Sequence, residues 1–307
     1  MAGTLKDQER KRARAFDMMA GIALTVGAIV VLVEIFVGRS GFDFGWVVDH
    51  LPGFLNATQL TFYVTTVAFG AGLGIGFLLG WARTARWIPL DKIVRDREQL
   101  REEGTSLVAA RIGTIPVILL SMAKYLVRRI GDAYVEIIRG TPLFVQIVFI
   151  WSILLVNYPR LEQKELFAGL IALTANTGGY QSEIFRAGLQ TVHSGQVEAG
   201  RAIGLSRWGA MRHVVLPQAL RLIIPPLTNE YIGLLKASSL LIVIGVSELT
   251  GYGRNLAFTS FKIFEVFAVV TAIYLLITVP VSKIVQYFEV RYRIPGLGIQ
   301  QPAEARV

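Results

Sequence analysis

Continuous apolar stretches recur along the chain at lengths that suit a lipid bilayer. A helix needs about 20 apolar residues to cross the hydrocarbon core. We predict single crossing helices at residues 18–37, 54–82, 166–189 and 264–288. A signal peptide is the competing interpretation of the first stretch, but its apolar region would be only roughly 7–15 residues long. The second stretch begins with polar residues, and we expect that end to face water.

Two further apolar stretches contain residues that interrupt a helix. Residues 134–158 are broken at Gly140 and Pro142, and residues 220–249 contain two adjacent prolines. We predict that the second stretch is a broken helix followed by a short piece. Backbone breaks at membrane depth survive only where protein or a water-filled cavity covers them. The pattern therefore indicates a pathway through the protein.

Composition agrees with a membrane protein. Hydrophobic residues make up 53% of the 307 residues and charged residues 17%, against about a quarter charged in soluble domains. The mean hydropathy is +0.52. These values favour a polytopic membrane protein over one or two soluble domains.

The positive charges predict the orientation of the chain. With six crossings and the N-terminus inside, 24 of the 31 Lys and Arg residues lie in inside segments, as the positive-inside rule requires. Both termini are therefore predicted to be cytoplasmic. The charge-dense residues 87–128 are interpreted as a cytoplasmic insertion. Within them, the apolar residues 106–123 are predicted to be amphipathic or cytoplasmic and not a crossing.

The sequence lacks the motifs of several enzyme classes. It has no cysteine, so a disulfide framework, a thiolate metal site and a cysteine nucleophile are excluded. A P-loop, an HExxH motif and a GxSxG motif are absent. His50, His193 and His213 are too far apart in sequence for a local metal motif. We predict neither an enzyme nor a metal or cofactor site in this chain.

Three glycines in the second apolar stretch share one helix face. Gly72, Gly76 and Gly80 recur at four-residue intervals. Small residues at this spacing allow two membrane helices to pack closely. The surrounding sequence does not match GxGxxG, so we predict helix packing here and not a dinucleotide site.

The most informative segment is EAGRAIGLSRWGAMRHVVLP at residues 198–217. It predicts a short helix pair between two crossings, with Gly204 ending the first helix. Trp208, Met211 and Val215 are expected on one side of the second piece, and Pro217 begins the next crossing. On these residues alone, an interfacial loop lying on lipid headgroups is an equally good interpretation.

The same segment resembles the cytoplasmic loop of ABC importer permeases. That loop reads EAA, three residues, G, nine residues, an aliphatic residue, one residue, then LP. The residues at this spacing are Glu198, Ala199, Gly200, Gly204, Val214, Leu216 and Pro217. Gly200 replaces the third Ala, and Val214 replaces Ile. Segments 134–146, 183–192 and 216–240 further resemble the polar amino acid uptake permeases, which include histidine, arginine, glutamine and glutamate systems.

The resemblance covers about residues 53–290 and implies a fold. It implies an all-α, polytopic membrane protein of about six transmembrane helices, with the five-span core of type I ABC importer permeases. Residues 1–52 would form a cytoplasmic N-terminus, an extra helix and an outer loop. Residues 53–290 would form the transmembrane domain, with a charged cytoplasmic insertion at about 87–128 and a coupling loop at 193–217. Residues 291–307 would form a cytoplasmic tail.

The resemblance also implies a function. The chain would be the permease subunit of an ATP-driven, binding-protein-dependent importer of polar L-amino acids in a prokaryotic inner membrane. Its partners would be an ABC ATPase, an extracytoplasmic amino acid-binding protein, a second permease subunit and membrane lipid, with no nucleic acid. ATP and Mg²⁺ would bind to the ATPase and not to this chain. An ion-coupled secondary transporter and a structural or regulatory membrane subunit are the alternatives.

The coupling loop would dock in a groove of the ATPase. By resemblance, Glu198 supplies a charged anchor and Gly204 the tight turn, with Ala199, Gly200, Leu216 and Pro217 completing the motif. Arg201, Arg207 and Arg212 add cationic contacts or simply follow the positive-inside rule.

Ionisable and polar residues within the predicted crossings are pathway candidates, because burying them in lipid is costly. They are Asn176, Glu183, Asn229, Glu230 and Lys236. Glu230 with Lys236 would offer both charges to a zwitterionic amino acid, although an interhelical salt bridge is equally compatible with their spacing. Glu136 and Arg139 are three residues apart, and we expect them to pair with each other.

Overall fold

The computed structural model describes residues 42–84, 107–191 and 194–291, which contain helices and no strand. The helices are α1 (Phe44–Thr84), α2 (Leu107–Gly140), α3 (Leu143–Asn157), α4 (Lys164–Thr191), α5 (Ser194–Ala202), α6 (Arg207–Ala210), α7 (Leu216–Ala237), α8 (Leu249–Ser260) and α9 (Ile263–Arg291). A π-helical turn at Met211–Val215 joins α6 to α7, and a 3₁₀ helix at Ser238–Ile244 follows α7. The predicted all-α class is confirmed. The predicted crossing at 18–37, residues 85–106 and the tail from residue 292 lie outside the described residues.

Within the described residues, three helical stretches are long and apolar enough to cross a membrane. They are Phe44–Thr84, Trp208–Ile244 and Ile263–Val285. A fourth is added if Ile118–Gly140 and Leu143–Asn157, which are bent by 106° at their junction, form one broken crossing. The bend lies at Gly140 and Pro142, as predicted. The helix before the bend begins at Leu107, so residues 107–128 of the predicted insertion and residues 134–140 of the predicted crossing belong to one helix, α2.

Helix α4 lies at the centre of the fold and packs against α1, α2, α3 and α7. It carries buried small residues such as Ala168, Ala172 and Gly178, which let neighbouring backbones approach. The predicted glycine face of α1 packs here. A Cβ on Gly76 would lie 2.6 Å from the Gln181 Cβ, and one on Gly80 would lie 2.8 Å from the Phe185 Cβ. The packing interpretation of these glycines is confirmed.

The adjacent prolines do not break their helix. α7 runs without interruption from Leu216 to Ala237 through Pro225 and Pro226, so the break predicted there is wrong. Neighbouring helices and local adjustments allow proline inside membrane helices. The short second piece does exist: it is the 3₁₀ helix at Ser238–Ile244, and it ends at Gly245, whose φ is +85°.

Two of the polar residues near the start of the predicted crossing at 54–82 face protein. Thr58 and Thr61 are buried. The Thr61 hydroxyl donates to Glu248 Oε2 at 3.3 Å and accepts the Leu249 N–H at 3.0 Å. Tyr274 of α9 also donates to Glu248 Oε2, at 3.2 Å. Because Glu248 is the N-cap of α8 and accepts the Gly251 N–H at 2.8 Å, this fully buried carboxylate joins α8 to α1 and α9.

Thr61→Val is expected to destabilise the protein by about 1–3 kcal/mol, because the buried Leu249 N–H loses its acceptor. Thr58→Val is the matched control, since the Thr58 hydroxyl donates to Phe54 O of its own helix. Thermal unfolding in detergent, followed by circular dichroism, compares the two variants. Equal midpoints would contradict the importance of the Glu248 junction.

Candidate functional site

The segment at residues 194–216 folds as a tight helix pair. α5 ends in a Schellman motif, in which the Gly204 N–H donates to Arg201 O at 3.0 Å and the Leu205 N–H donates to Gly200 O at 3.1 Å. Gly204 has a φ of +93°, a left-handed conformation that glycine adopts without steric cost. Ser206 then begins α6 by accepting the Gly209 N–H at 3.0 Å. The predicted turn at Gly204 is therefore present.

The helix pair has one packed face and one free face. Val197, Met211 and Val215 pack with residues near the end of α4. Glu198, Arg201 and Arg212 are exposed. The side chain of Arg207 and residue 193 lie outside the described residues.

Trp208 does not lie on the packed side with Met211 and Val215. It is 68% exposed, so this expectation is wrong. The π-helical turn at Met211–Val215, in which the Leu216 N–H bonds to Met211 O, shifts Val215 out of α-helical register with Trp208. The sequence gives no signal for this turn.

Position 200, where Gly replaces the third Ala of the loop motif, has room for either residue. It is buried, and an added Cβ would lie 3.4 Å from Leu205 Cδ1 and 3.5 Å from Val214 Cγ2. These are ordinary van der Waals distances. The departure therefore leaves the geometry of the helix pair unchanged.

A cavity of about 510 Å³ opens where the α2–α3 bend meets α4 and α7. Its lining residues are Arg139, Gly140, Thr141, Pro142, Leu143, Asn176, Tyr180, Glu230, Gly233, Leu234 and Ala237. The volume falls within the range of about 300–1,000 Å³ usual for small-molecule sites. Arg139 and Glu230 give the cavity one cationic and one anionic group.

The cavity wall is held by a chain of polar contacts around Gln146. Its amide nitrogen donates to Ile138 O at 2.7 Å and to Thr141 Oγ1 at 2.8 Å, so it bridges the α2–α3 bend. Its amide oxygen accepts from Asn176 Nδ2 at 3.0 Å. On the opposite wall, Thr177 donates to Glu230 Oε1 at 3.1 Å. Asn176 and Glu230 are therefore held in place before any ligand enters.

Arg139 does not pair with Glu136, so that expectation is wrong. Its Nη1 lies 3.9 Å from Glu183 Oε1, and its guanidinium lies 5.4 Å from the centre of the Tyr180 ring. The α2–α3 bend directs Arg139 towards α4, which the local spacing of residues does not reveal. Among the described residues, Glu136 makes no ion pair.

The structure separates the five predicted pathway residues. Asn176 and Glu230 line the cavity. Glu183 lies behind Arg139 in a cluster of ion pairs. Asn229 and Lys236 are exposed on α7, outside the cavity lining.

Sequence reasoning missed three residues at or near the cavity, Gln146, Thr177 and Tyr180. It considered a fourth, Arg139, but assigned it to a pair with Glu136. The break at Gly140 and Pro142 was the available signal, because helix ends leave backbone groups that side chains must satisfy. In the part of the chain that the structure describes, no group of three His, Cys, Asp or Glu side chains could hold a metal ion.

Comparisons with known proteins agree on one family. Residues 113–294 match the family model described as "Binding-protein-dependent transport system inner membrane component". The chain is 31% identical over 253 residues to the glutamine transport system permease protein GlnP of Escherichia coli, covering 82% of this chain and 99% of that protein. It is 36% identical to the nopaline transport system permease protein NocM of Agrobacterium fabrum, over 60% of this chain and 80% of that protein.

Solved structures give the same result for the fold. A structure described as an amino acid ABC transporter with histidines superposes with a TM-score of 0.63 at 30% identity, covering 81% of this chain and 98% of that chain. An inward-facing MetNI methionine ABC transporter superposes with a TM-score of 0.50 at 19% identity, covering 80% of this chain and 99% of that chain. The second likeness concerns the fold alone.

Proposed function

We infer that this chain, which belongs to the family of binding-protein-dependent transport system inner membrane components, is the permease subunit of an ATP-driven importer of polar L-amino acids. Its relatives are permeases of glutamine, arginine, nopaline and other amino acid systems. Nothing in these comparisons supports an ion-coupled secondary transporter. The single observation that carries the substrate class is the cavity that contains both Arg139 and Glu230.

The cavity chemistry suits a zwitterion. The Arg139 guanidinium can bind a carboxylate through two parallel hydrogen bonds. Glu230 can accept from an ammonium, and Asn176 offers a neutral polar contact. We assign substrate contact to these three residues and not to Asn229 or Lys236, which lie outside the lining.

The free face of the helix pair is the proposed contact with a separate ATPase. Glu198 and Arg201 are exposed there, and Ile203 is 82% exposed. An exposed apolar side chain beside charged groups is typical of an interaction surface. In this proposal Gly204 holds the two helices at a fixed angle, and ATP and Mg²⁺ bind to the ATPase.

The remaining partners follow from the same assignment. An extracytoplasmic binding protein delivers the amino acid, and a second permease subunit completes the pathway. We place the helix pair and both termini in the cytoplasm of a prokaryotic cell, because this orientation puts most Lys and Arg residues inside. The transmembrane domain is assigned to about residues 53–290.

The test is uptake of radiolabelled amino acids by liposomes that contain this chain with its ATPase and binding protein. Glu230→Gln is expected to lower the rate about tenfold or more, since a hydrogen bond to a charged group contributes about 1.5–3 kcal/mol. Asn229→Ala is the matched control on the same helix and is expected to leave uptake unchanged. Uptake by this chain alone on an ion gradient would overturn the assignment.

A further inference from the structure

Glu183 is the meeting point of three arginines from three helices. Arg83 of α1 donates from Nη1 to Glu183 Oε1 at 2.6 Å. Arg186, one turn along α4, donates from Nη2 and Nε to Oε2 at 2.5 and 3.1 Å. Arg139 of α2 is more distant, with 3.9 Å between Nη1 and Oε1. Both carboxylate oxygens of Glu183 thus accept hydrogen bonds from Arg83 or Arg186, independently of Arg139.

Arg139 is consequently the arginine of this cluster that interacts least strongly with Glu183. Its side chain is 46% exposed, whereas that of Arg83 is 10% exposed. Arg83 also donates from Nε to Asp132 Oδ1 at 2.6 Å. Ion-pair attraction falls with distance and with exposure to solvent, so Glu183 holds Arg139 weakly and Arg83 strongly.

Arg139 also belongs to the cavity lining. An anionic group that enters the cavity and Glu183 are therefore alternative partners of one guanidinium. How strongly Glu183 competes depends on how well its own charge is satisfied by Arg83 and Arg186. Arg186 does not line the cavity. It therefore changes how strongly Glu183 attracts Arg139 without contacting a ligand in the cavity.

We propose that Glu183 is a positioning residue that competes with the substrate carboxylate for Arg139, and that Arg186 limits this competition. The proposal rests on the proposed function, in which Arg139 binds that carboxylate. It also changes the predicted role of Glu183, which acts through Arg139 and does not touch the amino acid.

The competition predicts opposite effects for two substitutions. Glu183→Gln removes the competing charge, so the affinity for a carboxylate ligand should rise about two- to fivefold, the range expected when a partly exposed ion pair is lost. Arg186→Gln leaves Glu183 less satisfied, so Glu183 should hold Arg139 more strongly and the affinity should fall by a similar factor. A merely structural role would lower the affinity in both variants.

The experiment measures equilibrium binding to the nucleotide-free transporter complex in nanodiscs. The probes are radiolabelled L-arginine and L-glutamine, with L-argininamide and L-glutaminamide as analogues that lack the carboxylate. The opposite shifts are expected for the amino acids and not for the amides. In an Arg139→Gln background, Glu183→Gln should have no effect, which excludes direct repulsion between Glu183 and the ligand.

Glu136→Gln is the matched control, since it removes an exposed carboxylate one turn from Arg139. It should leave both affinities unchanged. If Glu183→Gln fails to fold, Arg186→Gln still tests the inference. The Arg186 side chain is partly exposed, so we expect this variant to fold. Unchanged or raised affinity in Arg186→Gln, or lowered affinity in a folded Glu183→Gln, would overturn the inference. Absence of binding to the unmodified complex, or normal binding in Arg139→Gln, would instead contradict the proposed function.

Discussion

Gly204→Val is expected to reduce ATP-driven uptake to background while the protein still inserts into the membrane. Gly204 has a φ of +93°, and an L-residue in a left-handed conformation costs roughly 1–2 kcal/mol. An added Cβ would meet no described atom within 4 Å, so crowding is not the cause. The strain is relieved if the turn between α5 and α6 changes, and this change would move the free face away from the ATPase.

Gly195→Val provides the matched control for this substitution. Gly195 lies in the same short helix, α5, and an added Cβ there also meets no described atom within 4 Å. Its φ is not positive, so the backbone can accept valine. Uptake and ATP hydrolysis are measured on the same liposomes. Normal uptake by Gly204→Val would contradict the coupling assignment.

Reversing the charge of Glu198 is an independent test of the free face of the helix pair. Glu198→Lys reverses an exposed charge without changing the turn, and we expect uptake to fall together with binding of the ATPase. Gln196→Lys places the same positive charge two residues earlier and serves as the control. Co-purification of the ATPase measures docking directly. Equal recovery of the ATPase with both variants would argue against Glu198 as an anchor.

Gly76→Leu is expected to cause the largest loss of folded protein. An added Cβ would lie 2.6 Å from the Gln181 Cβ and 3.1 Å from the Gln181 backbone carbon of α4. Backbone atoms cannot rotate away, so α1 and α4 would have to separate. Overpacking of a core typically costs about 1–3 kcal/mol, and more where the backbone must move.

Gly74→Leu separates this packing effect from the general effect of leucine in the helix. Gly74 is exposed on the opposite side of α1, and an added Cβ would contact no atom of the described residues within 4 Å. Size-exclusion chromatography of detergent-solubilised protein compares the monodisperse fraction of the two variants. A similar fraction for both would contradict the close α1–α4 packing.

Features set by local sequence were predicted well. The four-residue spacing of Gly72, Gly76 and Gly80 is a property of one helix, and it correctly predicted a closely packed face, although not that α4 is the partner. Gly204 could be recognised as a helix-ending residue because its neighbours follow the pattern of a turn. Gly140 and Pro142 likewise marked the α2–α3 bend.

Features that join distant segments were not predicted. Glu248 and Thr61 are 187 residues apart, and neither stands in a motif that indicates the other. The cavity likewise depends on the bend, which directs Arg139 towards Glu183 and not towards its neighbour Glu136. Residue type alone selected Asn176 and Glu230 but could not separate them from Asn229 and Lys236, because that distinction depends on which face of each helix meets the cavity.

The Glu248 junction has a consequence for the order in which the protein is made. α1 is synthesised long before α8 and must enter the membrane without its partner. Its threonine hydroxyls are satisfied meanwhile by their own helix: Thr58 bonds to Phe54 O, Thr61 to Ala57 O and Thr65 to Thr61 O. Because the Thr61 hydroxyl has one hydrogen, it can exchange Ala57 O for Glu248 Oε2 at a late step, when it also accepts the Leu249 N–H. The ribosome can therefore release α1 into lipid first, and the emerging C-terminal third completes the junction afterwards.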